Sequence, residues 1–420
     1  MTEAPDVYAL GDIPPLGVVP KLMHASVIRK ERHGRPSVAM VEEVVAVPDI
    51  GPNEVLVYVM AAGVNYNGVW GALGKPLSPI DVHKEAFHVA GSDAAGVVWK
   101  IGSGVKSWKV GDEVVVHCNQ SCGECHHCNG GNPMLCRKQQ IWGYETSHGS
   151  FAQFCKVQGQ QLLQKPKHLT WGEAGCYMLV YATAWRMLFG HPPHVLKPAM
   201  NVLVWGGSGG LGTMAIQICK AAGANAIAVV SSADKGEYCM ELGAKAFINR
   251  RDFSCWGAMP DPDDADRYGR WVSETKKFGK AIWDITGQVD VDIVFEHPGE
   301  ETFPVSCFIV RRGGMVVFCA GTTGYNMTFD ARYVWMRQKR IQGSHFASKA
   351  EAEEANHLIM DKKVTAGLSR LFRFADLAQA HELMLDNRHP PGNMAIAVNA
   401  TAEGCRNLGQ SRAAQGRGEA

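Results

Sequence analysis

Four cysteines stand close together in the first half of the chain, in a C-x2-C-x2-C-x7-C pattern. Thiolates at such spacing are common ligands of a tetrahedral structural zinc ion, which clamps a loop without taking part in chemistry. The alternative is a lobe that has lost its metal and keeps free thiols. The spacing therefore predicts a structural zinc site with the ligands Cys122, Cys125, Cys128 and Cys136.

A glycine-rich stretch at residues 206–212 (GGSGGLG) follows an apolar run that ends at Trp205. It contains the motif G-x-G-x-x-G between an expected strand and an expected helix, the context in which this motif binds a dinucleotide. Glycines there let the backbone turn tightly and approach the pyrophosphate at the helix N-terminus. We therefore expect Gly207, Gly209 and Gly212 to bind a nicotinamide cofactor.

The residues after the next strand indicate which cofactor binds. An NAD site has a carboxylate about 20 residues further on that accepts the ribose 2′-hydroxyl. In this chain the strand ends at Ser231, Lys235 lies just beyond it, and Arg250 follows the third strand. Hydroxyl and cationic groups suit a 2′-phosphate, so the sequence predicts NADPH, bound in part by these three side chains.

Two kinds of secondary structure surround these motifs. From about residue 23 to 165, short apolar runs separated by Gly, Pro and Asp indicate a β-rich domain. From about 170 to 342, strands and helices alternate, and the continuous apolar runs at 201–205, 226–230, 291–295 and 315–318 are typical of buried parallel strands. The predicted fold class is α/β, with a β-rich catalytic domain (1–177 and 345–420) and a doubly wound Rossmann domain (178–344).

Two segments stand outside this alternation. The stretch between Asn249 and Gln288 is longer than a usual connection in an α/β domain. It is either a tolerated surface insertion or a contact surface for another subunit or a long substrate. The tail at about 401–420 is polar and contains Gly and Arg, which predicts disorder.

Composition narrows the class of protein. The 420 residues have a net charge of +1, so no overall field attracts nucleic acid or a membrane surface. The chain starts without a basic, apolar leader and has no apolar run of ~20 residues, the length of a membrane span. Most of the 13 cysteines are scattered singly, as in a reducing compartment. We expect a cytoplasmic protein that binds neither nucleic acid nor membrane.

The cysteine pattern resembles the zinc lobe of medium-chain alcohol dehydrogenases, and this implies a GroES-like form for the β-rich domain. In zinc-dependent members a cysteine follows Gly-Val in the first substrate loop, and Gly-His-Glu comes later. In this chain the two places read Gly-Val-Asn, ending at Asn65, and Gly-Ser-Asp, ending at Asp93. Neither supplies a thiol or an imidazole, so reduction of an activated double bond is expected rather than metal-assisted alcohol oxidation.

Longer stretches resemble the crotonyl-CoA carboxylase/reductases, an enoyl-thioester reductase subgroup, over about residues 10–399. They include residues 60–67 (MAAGVNYN), 141–146 (IWGYET), 294–299 (VFEHPG), 319–324 (CAGTTG) and 342–346 (QGSHF). The cysteine lobe departs from this subgroup, in which it is degraded, so the zinc prediction depends on spacing alone. The resemblance implies hydride transfer from NADPH to the β-carbon of an enoyl-CoA, followed by attack of the enolate on CO2 at the α-carbon.

The resemblance also implies a pocket for CO2. In that family an asparagine, an aromatic ring, a glutamate that orders a water, and a histidine form it, and they match Asn67, Tyr144, Glu145 and His345. Asn65 is the alternative asparagine, but it occupies the lost metal-ligand position.

Two further residues and the assembly state are carried over from the same family. Cys319 is assigned to cofactor binding, and Arg332 to a phosphate of the CoA substrate. Because the family forms homo-oligomers, we expect a dimer or a tetramer.

Two other functions compete with this interpretation. One is an enoyl-CoA reductase that only protonates the enolate. The other is a non-catalytic structural or sensor protein, such as a lens crystallin built on an inactive reductase fold. The intact glycine motif and the matched pocket residues favour the reductive carboxylase.

Overall fold

The computed structural model describes residues 5–400 and 402–415, and the chain divides into two compact units. The β-rich unit takes its described residues from Met1–Leu179, Ser348–Lys362 and Ala366–Ala420, and the parallel-sheet unit consists of Val180–Ala347 and Lys363–Thr365. Both main junctions lie slightly after the predicted ones at 177 and 344. The short piece 363–365 joins the parallel-sheet unit because the Thr365 N–H and hydroxyl donate to Gln217 Oε1, at 2.9 and 3.1 Å.

Short strands dominate the first part of the chain. They are β1 (Leu22–Ile28), β2 (Val41–Ala46), β3 (Glu54–Val64), β4 (His88–Val89), β5 (Ala94–Ile101), β6 (Glu113–Val116), β7 (Asn119–Gln120), β8 (Gln140–Ile141), β9 (Phe154–Gln158) and β10 (Leu162–Gln164). The helices between and after them are α1 (Pro36–Ala39), α2 (Tyr66–Leu73), α3 (Pro79–His83), α4 (His126–Asn129), α5 (Trp171–Ala174) and α6 (Met178–Phe189).

The parallel-sheet unit alternates strand and helix. Its strands are β11 (Asn201–Trp205), β12 (Asn225–Val230), β13 (Ala246–Asn249), β14 (Val291–Glu296), β15 (Val310–Phe318) and β16 (Arg340–Gly343). Its helices, beyond the end of α6, are α7 (Gly210–Ala221), α8 (Ala233–Leu242), α9 (Ala265–Thr286), α10 (Phe303–Ile309) and α11 (Ala331–Trp335). All six strands pair in parallel in the order β13-β12-β11-β14-β15-β16, which confirms the predicted Rossmann arrangement.

The segment between Asn249 and Gln288 contributes several side chains to the core of this unit. Phe253 and Trp256 pack edge-on against Phe278, with ring centroids 5.3 and 5.4 Å apart, and Trp256 also contacts Trp205 at 5.3 Å. Most of the segment is the long helix α9, which starts after the N-cap Asp264. The hypothesis of a tolerated surface insertion is therefore wrong, because these aromatic side chains complete the unit's own packing.

The chain then returns to the β-rich unit with α12 (Lys349–Met360), β17 (Leu368–Arg373), α13 (Leu377–Leu385), β18 (Asn393–Ala397) and α14 (Leu408–Gln415). Its largest sheet has the order β10-β6-β5-β3-β18-β17, with β9 also paired to β3. Strand β18 lies antiparallel to β3, with Ile396 opposite Ala62. Smaller sheets are formed by β2-β1-β4 and by β7-β8.

The tail was predicted to be disordered, and this is wrong for residues 402–415. Helix α14 and the residues before it are held by specific polar contacts. Trp171 Nε1 donates to the buried Ser411 Oγ in the helix at 3.2 Å, and the buried Lys165 Nζ donates to Arg406 O, just before the helix, at 2.6 Å. Composition missed this because the anchoring groups are backbone carbonyls and one small hydroxyl rather than large apolar side chains. Residue 401 and residues 416–420 lie outside the described part.

None of the helices in the described ranges combines the length and the apolar character that crossing a bilayer requires.

Candidate functional site

Two asparagines follow strand β3, and the fold uses them differently. Asn65 is buried, and its side-chain amide donates to Asp93 Oδ2 at 3.0 Å. Asn67 lies in the first turn of α2, is half-buried, and its amide donates to Ser92 Oγ at 3.3 Å. Of the two, Asn67 therefore keeps an amide at a partly accessible position, whereas the amide of Asn65 is committed to Asp93.

The Asp93 carboxyl is a second buried polar group at this place. It is fully buried, and its Oδ1 accepts from the Leu179 backbone N–H at 2.8 Å. Burial raises the pKa of Asp93 to about 7, while the bonds from Asn65 and Leu179 act in the opposite direction. At the places where zinc-dependent relatives have Cys and the Glu of Gly-His-Glu, this chain therefore carries an amide–carboxyl clamp.

Tyr144 and Glu145 lie in the turn that follows β8. The Tyr144 hydroxyl donates to Leu77 O at 2.7 Å, in the connection that follows α2. The Glu145 carboxylate accepts from the Ile141 N–H at 2.7 Å, which closes the turn on itself. Both side chains are thereby held in defined positions.

This turn packs directly on the loop that carries Ser92. A Cβ on Gly143 would lie 2.0 Å from Gly91 O and 3.2 Å from Ser92 N, so the close approach depends on glycine at position 143. Because Ser92 also accepts from Asn67, the fold brings Asn67, Tyr144 and Glu145 to the same loop.

The four cysteines of the predicted metal site form one cluster. Their sulfur atoms all lie within 4.8 Å of one another. Three pairs are 3.6 to 3.8 Å apart, close to the ~3.8 Å separation of ligands around a tetrahedral ion with bonds of ~2.3 Å. Backbone N–H groups of Glu124 and Cys125 lower the pKa of Cys122 to about 6, which favours its thiolate form. The donor set therefore fits a zinc ion.

The glycine motif leaves room for a ligand at one of its three positions. A Cβ at Gly207 would lie 2.7 Å from Ala228 Cβ, and one at Gly212 would lie 2.4 Å from Gly206 O, so both glycines serve internal packing. A Cβ at Gly209 meets nothing closer than 3.4 Å. Gly209 is also the N-cap of α7, where backbone N–H groups favour a phosphate. The loop therefore fits the pyrophosphate of a dinucleotide.

The predicted 2′-phosphate residues follow two adjacent strands. Val230 pairs with Asn249, so Ser231 and Arg250 both leave the carboxyl edge of the sheet at neighbouring places, and Lys235 lies in the first turn of α8. Arg250, however, already donates to Glu301 Oε2 at 2.8 Å. A phosphate would have to compete with that carboxylate for Arg250.

The remaining predicted residues lie in the parallel-sheet unit. His345 comes shortly after β16 and contacts Phe346, with ring centroids 4.4 Å apart. Partial desolvation and the nearby Arg186 lower its pKa, so its imidazole is neutral at pH 7. Cys319 follows β15, and burial, with the nearby Glu296, raises the pKa of its thiol to about 12.

Arg332, the predicted contact to CoA, lies in the short helix α11. Its guanidinium binds both carboxylate oxygens of Asp330, at 2.7 to 3.1 Å, and Asp330 also accepts from the Tyr268 hydroxyl at 2.9 Å. The charge of Arg332 is therefore already paired, although its side chain is 55% exposed.

Sequence reasoning assigned no role to Asp93 or His297. Asp93 lies directly before the buried strand β5. His297 lies directly after the buried strand β14, at the carboxyl edge of the parallel sheet. A polar residue at the end of a buried parallel strand is the signal that could have identified His297.

Comparison with known protein families assigns each unit. Residues 51–167 match the alcohol dehydrogenase GroES-like domain, and residues 210–361 match the zinc-binding dehydrogenase family. The predicted combination of a GroES-like domain with a Rossmann domain is thereby confirmed.

Individual relatives match almost the whole chain. The crotonyl-CoA carboxylase/reductase of Cereibacter sphaeroides is 60% identical over 402 residues, which cover 96% of this chain and 93% of that protein. A solved structure of a crotonyl-CoA carboxylase/reductase aligns with a TM-score of 0.95 at 61% identity, covering 98% of this chain and 96% of the other. The 2-octenoyl-CoA carboxylase reductase CinF, solved with NADP and 2-octenoyl-CoA, aligns with a TM-score of 0.87 at 36% identity, covering 95% and 92%.

Proposed function

The chain belongs to the crotonyl-CoA carboxylase/reductase family, and from this premise we propose that it catalyses the NADPH-dependent reductive carboxylation of an enoyl-CoA. The observation that carries the proposal is that Asn67 bonds to Ser92 and that the turn containing Tyr144 and Glu145 packs on the same loop through Gly143. The glycine loop at Gly209 in the other unit suits the dinucleotide.

Bound NADPH supplies the hydride that adds to the β-carbon of the enoyl thioester. The resulting enolate is nucleophilic at the α-carbon, where it either takes a proton or attacks CO2. Carboxylation is faster than protonation when CO2 is held by donors whose hydrogen bonds strengthen as carboxylate charge develops, and when no acidic group points at the α-carbon. The residues of this chain have to meet both conditions.

Asn67 supplies a donor of this kind, because a side-chain amide has N–H groups but no acidic proton. Its weak bond to Ser92 leaves the amide able to turn toward a ligand, and Asn65 cannot replace it while bound to Asp93. His345 is neutral at pH 7 because its pKa is lowered, so it can donate without acting as a strong acid toward the enolate. Glu145 orders a water, and Tyr144 forms the aromatic wall.

Ser231 and Lys235 are the main groups for the 2′-phosphate. Arg250 contributes less in this proposal because Glu301 already neutralises it. The nicotinamide end is placed in part by Cys319, whose thiol stays protonated and therefore unreactive near neutral pH.

The zinc ion is structural in this proposal. Bound by the four cysteines, it would supply a cross-link within residues 122–136, and those residues stay outside the chemistry.

The substrate contact and the assembly state complete the proposal. Arg332 contacts a CoA phosphate while it remains ion-paired with Asp330. The enzyme works in the cytoplasm as a dimer or tetramer. Light scattering during size-exclusion chromatography measures the assembly, and a monomer at micromolar concentration would contradict it.

One assay series tests the activity. Purified protein is given NADPH with crotonyl-CoA or 2-octenoyl-CoA, with and without bicarbonate, and the thioester products are identified by mass spectrometry. We expect an alkylmalonyl-CoA product when bicarbonate is present. Saturated acyl-CoA alone would establish a reductase that only protonates, and no NADPH oxidation would indicate a non-catalytic protein.

A further inference from the structure

His297 lies at the point of the parallel sheet where ligands bind. It directly follows β14, whose neighbour β11 ends at Trp205, and the strand order of the sheet reverses between these two strands. In open α/β sheets the crevice beyond the carboxyl ends of the strands at this reversal receives the nucleotide. His297 as a residue is half-buried there.

The hydrogen bond of His297 determines which ring nitrogen carries the proton. Its Nε2 lies 2.9 Å from Trp205 O, and a carbonyl oxygen can only accept, so Nε2 donates. Burial lowers the pKa of His297 to about 4, while the bond to Trp205 acts in the opposite direction, so the ring is neutral at pH 7. Nδ1 therefore presents a lone pair, and it has no hydrogen bond to any residue in the described ranges.

The position of the ring is further restricted by the glycine loop. A Cβ on Gly206, which has φ +55°, would lie 2.8 Å from Cε1 and Nε2 of His297, so the imidazole packs against the first residue of the glycine loop. The two strand ends are also joined by side chains: the Glu296 carboxylate accepts from Ser306 Oγ at 2.6 Å, and Ser306 Oγ accepts from Trp205 Nε1 at 2.8 Å. These bonds connect Trp205, the last residue of β11, to Glu296, the residue directly before His297.

The strand order indicates which part of the nucleotide faces His297. The pyrophosphate fits Gly209 at the start of α7, and the 2′-phosphate of the adenosine half lies toward β12, where Ser231 and Lys235 are. The other half of the cofactor must extend to the opposite side of β11, where β14 ends. A ribose hydroxyl on that half is a donor that matches a neutral Nδ1 acceptor.

We infer that His297 is a cofactor-binding residue whose Nδ1 accepts a hydrogen bond from a hydroxyl of the ribose on the nicotinamide side. This inference rests on the proposed function in one respect, the use of a dinucleotide cofactor. It adds a polar contact for the half of the cofactor that the glycine motif and the 2′-phosphate residues leave without one.

Three ligands test the inference by isothermal titration calorimetry without turnover. Adenosine 2′,5′-bisphosphate lacks the second ribose, 2′-phospho-ADP-ribose contains it without nicotinamide, and NADPH contains both. His297→Gln places an amide donor where Nε2 lies, so it keeps the bond to Trp205 O and loses the Nδ1 acceptor. We expect this variant to bind NADPH and 2′-phospho-ADP-ribose about tenfold more weakly, the effect of one hydrogen bond of ~1.4 kcal/mol, and adenosine 2′,5′-bisphosphate with unchanged affinity.

The other outcomes are separable. Equal weakening of all three ligands would show that His297 only supports the loop. Weakening of NADPH alone would indicate that the carboxamide, and not the ribose, contacts His297. Either result overturns the inference, and so does unchanged binding of all three ligands. His297→Asn, which keeps a polar group near the Nδ1 position, should recover part of the affinity for 2′-phospho-ADP-ribose. If wild-type protein binds none of the ligands, the proposed cofactor is wrong instead.

Discussion

The amide of Asn65 and the carboxyl of Asp93 are joined by a hydrogen bond of 3.0 Å at the base of the β3–α2 connection, immediately before the turn that carries Asn67. This clamp replaces side chains that hold or adjoin a metal ion in zinc-dependent relatives. Its fully buried acid fixes the backbone from which Asn67 projects.

Removal of the clamp should therefore cost stability. Asp93→Ala leaves the Asn65 amide and the Leu179 N–H without their acceptor, and we expect the free energy of unfolding in urea to fall by about 1–3 kcal/mol. Asp93→Asn keeps one acceptor oxygen and should cost less. Equal losses for the two variants would show that the hydrogen bonds contribute nothing beyond packing.

The same acid predicts a pH dependence. Because the pKa of Asp93 is raised from 3.8 to about 7 on folding, the folded protein holds a proton that the unfolded chain releases between about pH 4 and pH 7. The contribution of Asp93 to the free energy of unfolding therefore decreases as pH rises through this window. Asp93→Asn should lack this contribution, so its deficit relative to wild type should be smaller at pH 8 than at pH 5.

Cofactor preference should depend on Lys235. Lys235→Ala is expected to weaken NADPH binding about tenfold or more, since a hydrogen bond to a charged group contributes ~1.5–3 kcal/mol, and to leave NADH binding nearly unchanged. Arg250→Ala is the matched control and should have a smaller effect because Arg250 is paired with Glu301. Fluorescence titration of both cofactors measures this. Equal weakening of NADPH and NADH by Lys235→Ala would contradict the assignment.

Purified protein should contain about one zinc ion per chain. The Cys125→Ser variant should contain no zinc, as measured by inductively coupled plasma mass spectrometry, and it should have a lower melting temperature. Cys155→Ser is the control, because Cys155 is a buried cysteine of β9 outside the cluster, and it should retain the zinc. A fully stable wild-type protein without metal would refute the zinc site.

The fate of the enolate should change in two pocket variants. Asn67→Leu and His345→Asn should keep measurable NADPH oxidation but shift the product from alkylmalonyl-CoA toward saturated acyl-CoA. A loss of about 1.4 kcal/mol of differential transition-state stabilisation changes the product ratio tenfold, and loss of one well-placed donor can cost ~2.7–4 kcal/mol. Product ratios under saturating bicarbonate decide this. A strictly proportional loss of both products would assign the residues to general binding or folding.

The parallel-sheet unit was the most predictable part of the molecule. The apolar run at Asn201–Trp205 is the observed strand β11, because a strand buried on both faces needs apolar residues at every position. The glycine motif also has the expected position between β11 and α7. Both signals are local in the sequence.

Other features depend on contacts between distant residues. The helix containing Ser411 is anchored by a hydrogen bond from Trp171, and the guanidinium of Arg250 is paired with the carboxylate of Glu301. In both cases the partner is distant in the sequence. From the sequence, Asn67 is preferred over Asn65 as the CO2-pocket residue because Asn65 occupies the lost metal-ligand position. The fold adds a physical reason, since the side-chain amide of Asn65 is hydrogen-bonded to Asp93.

The pairing of β3 with β18 has a consequence for biosynthesis. Residues 61–64 of β3, which lead into the turn carrying Asn67, pair with residues 394–397, and the ribosome makes the parallel-sheet unit in between. Until β18 emerges, this apolar strand lacks one native neighbour, and an unpaired strand edge is a template for association with other chains. The nascent chain therefore carries an incompletely paired β3 edge throughout the translation of the parallel-sheet unit, and the pairing next to the Asn67 turn is completed only after β18 has emerged.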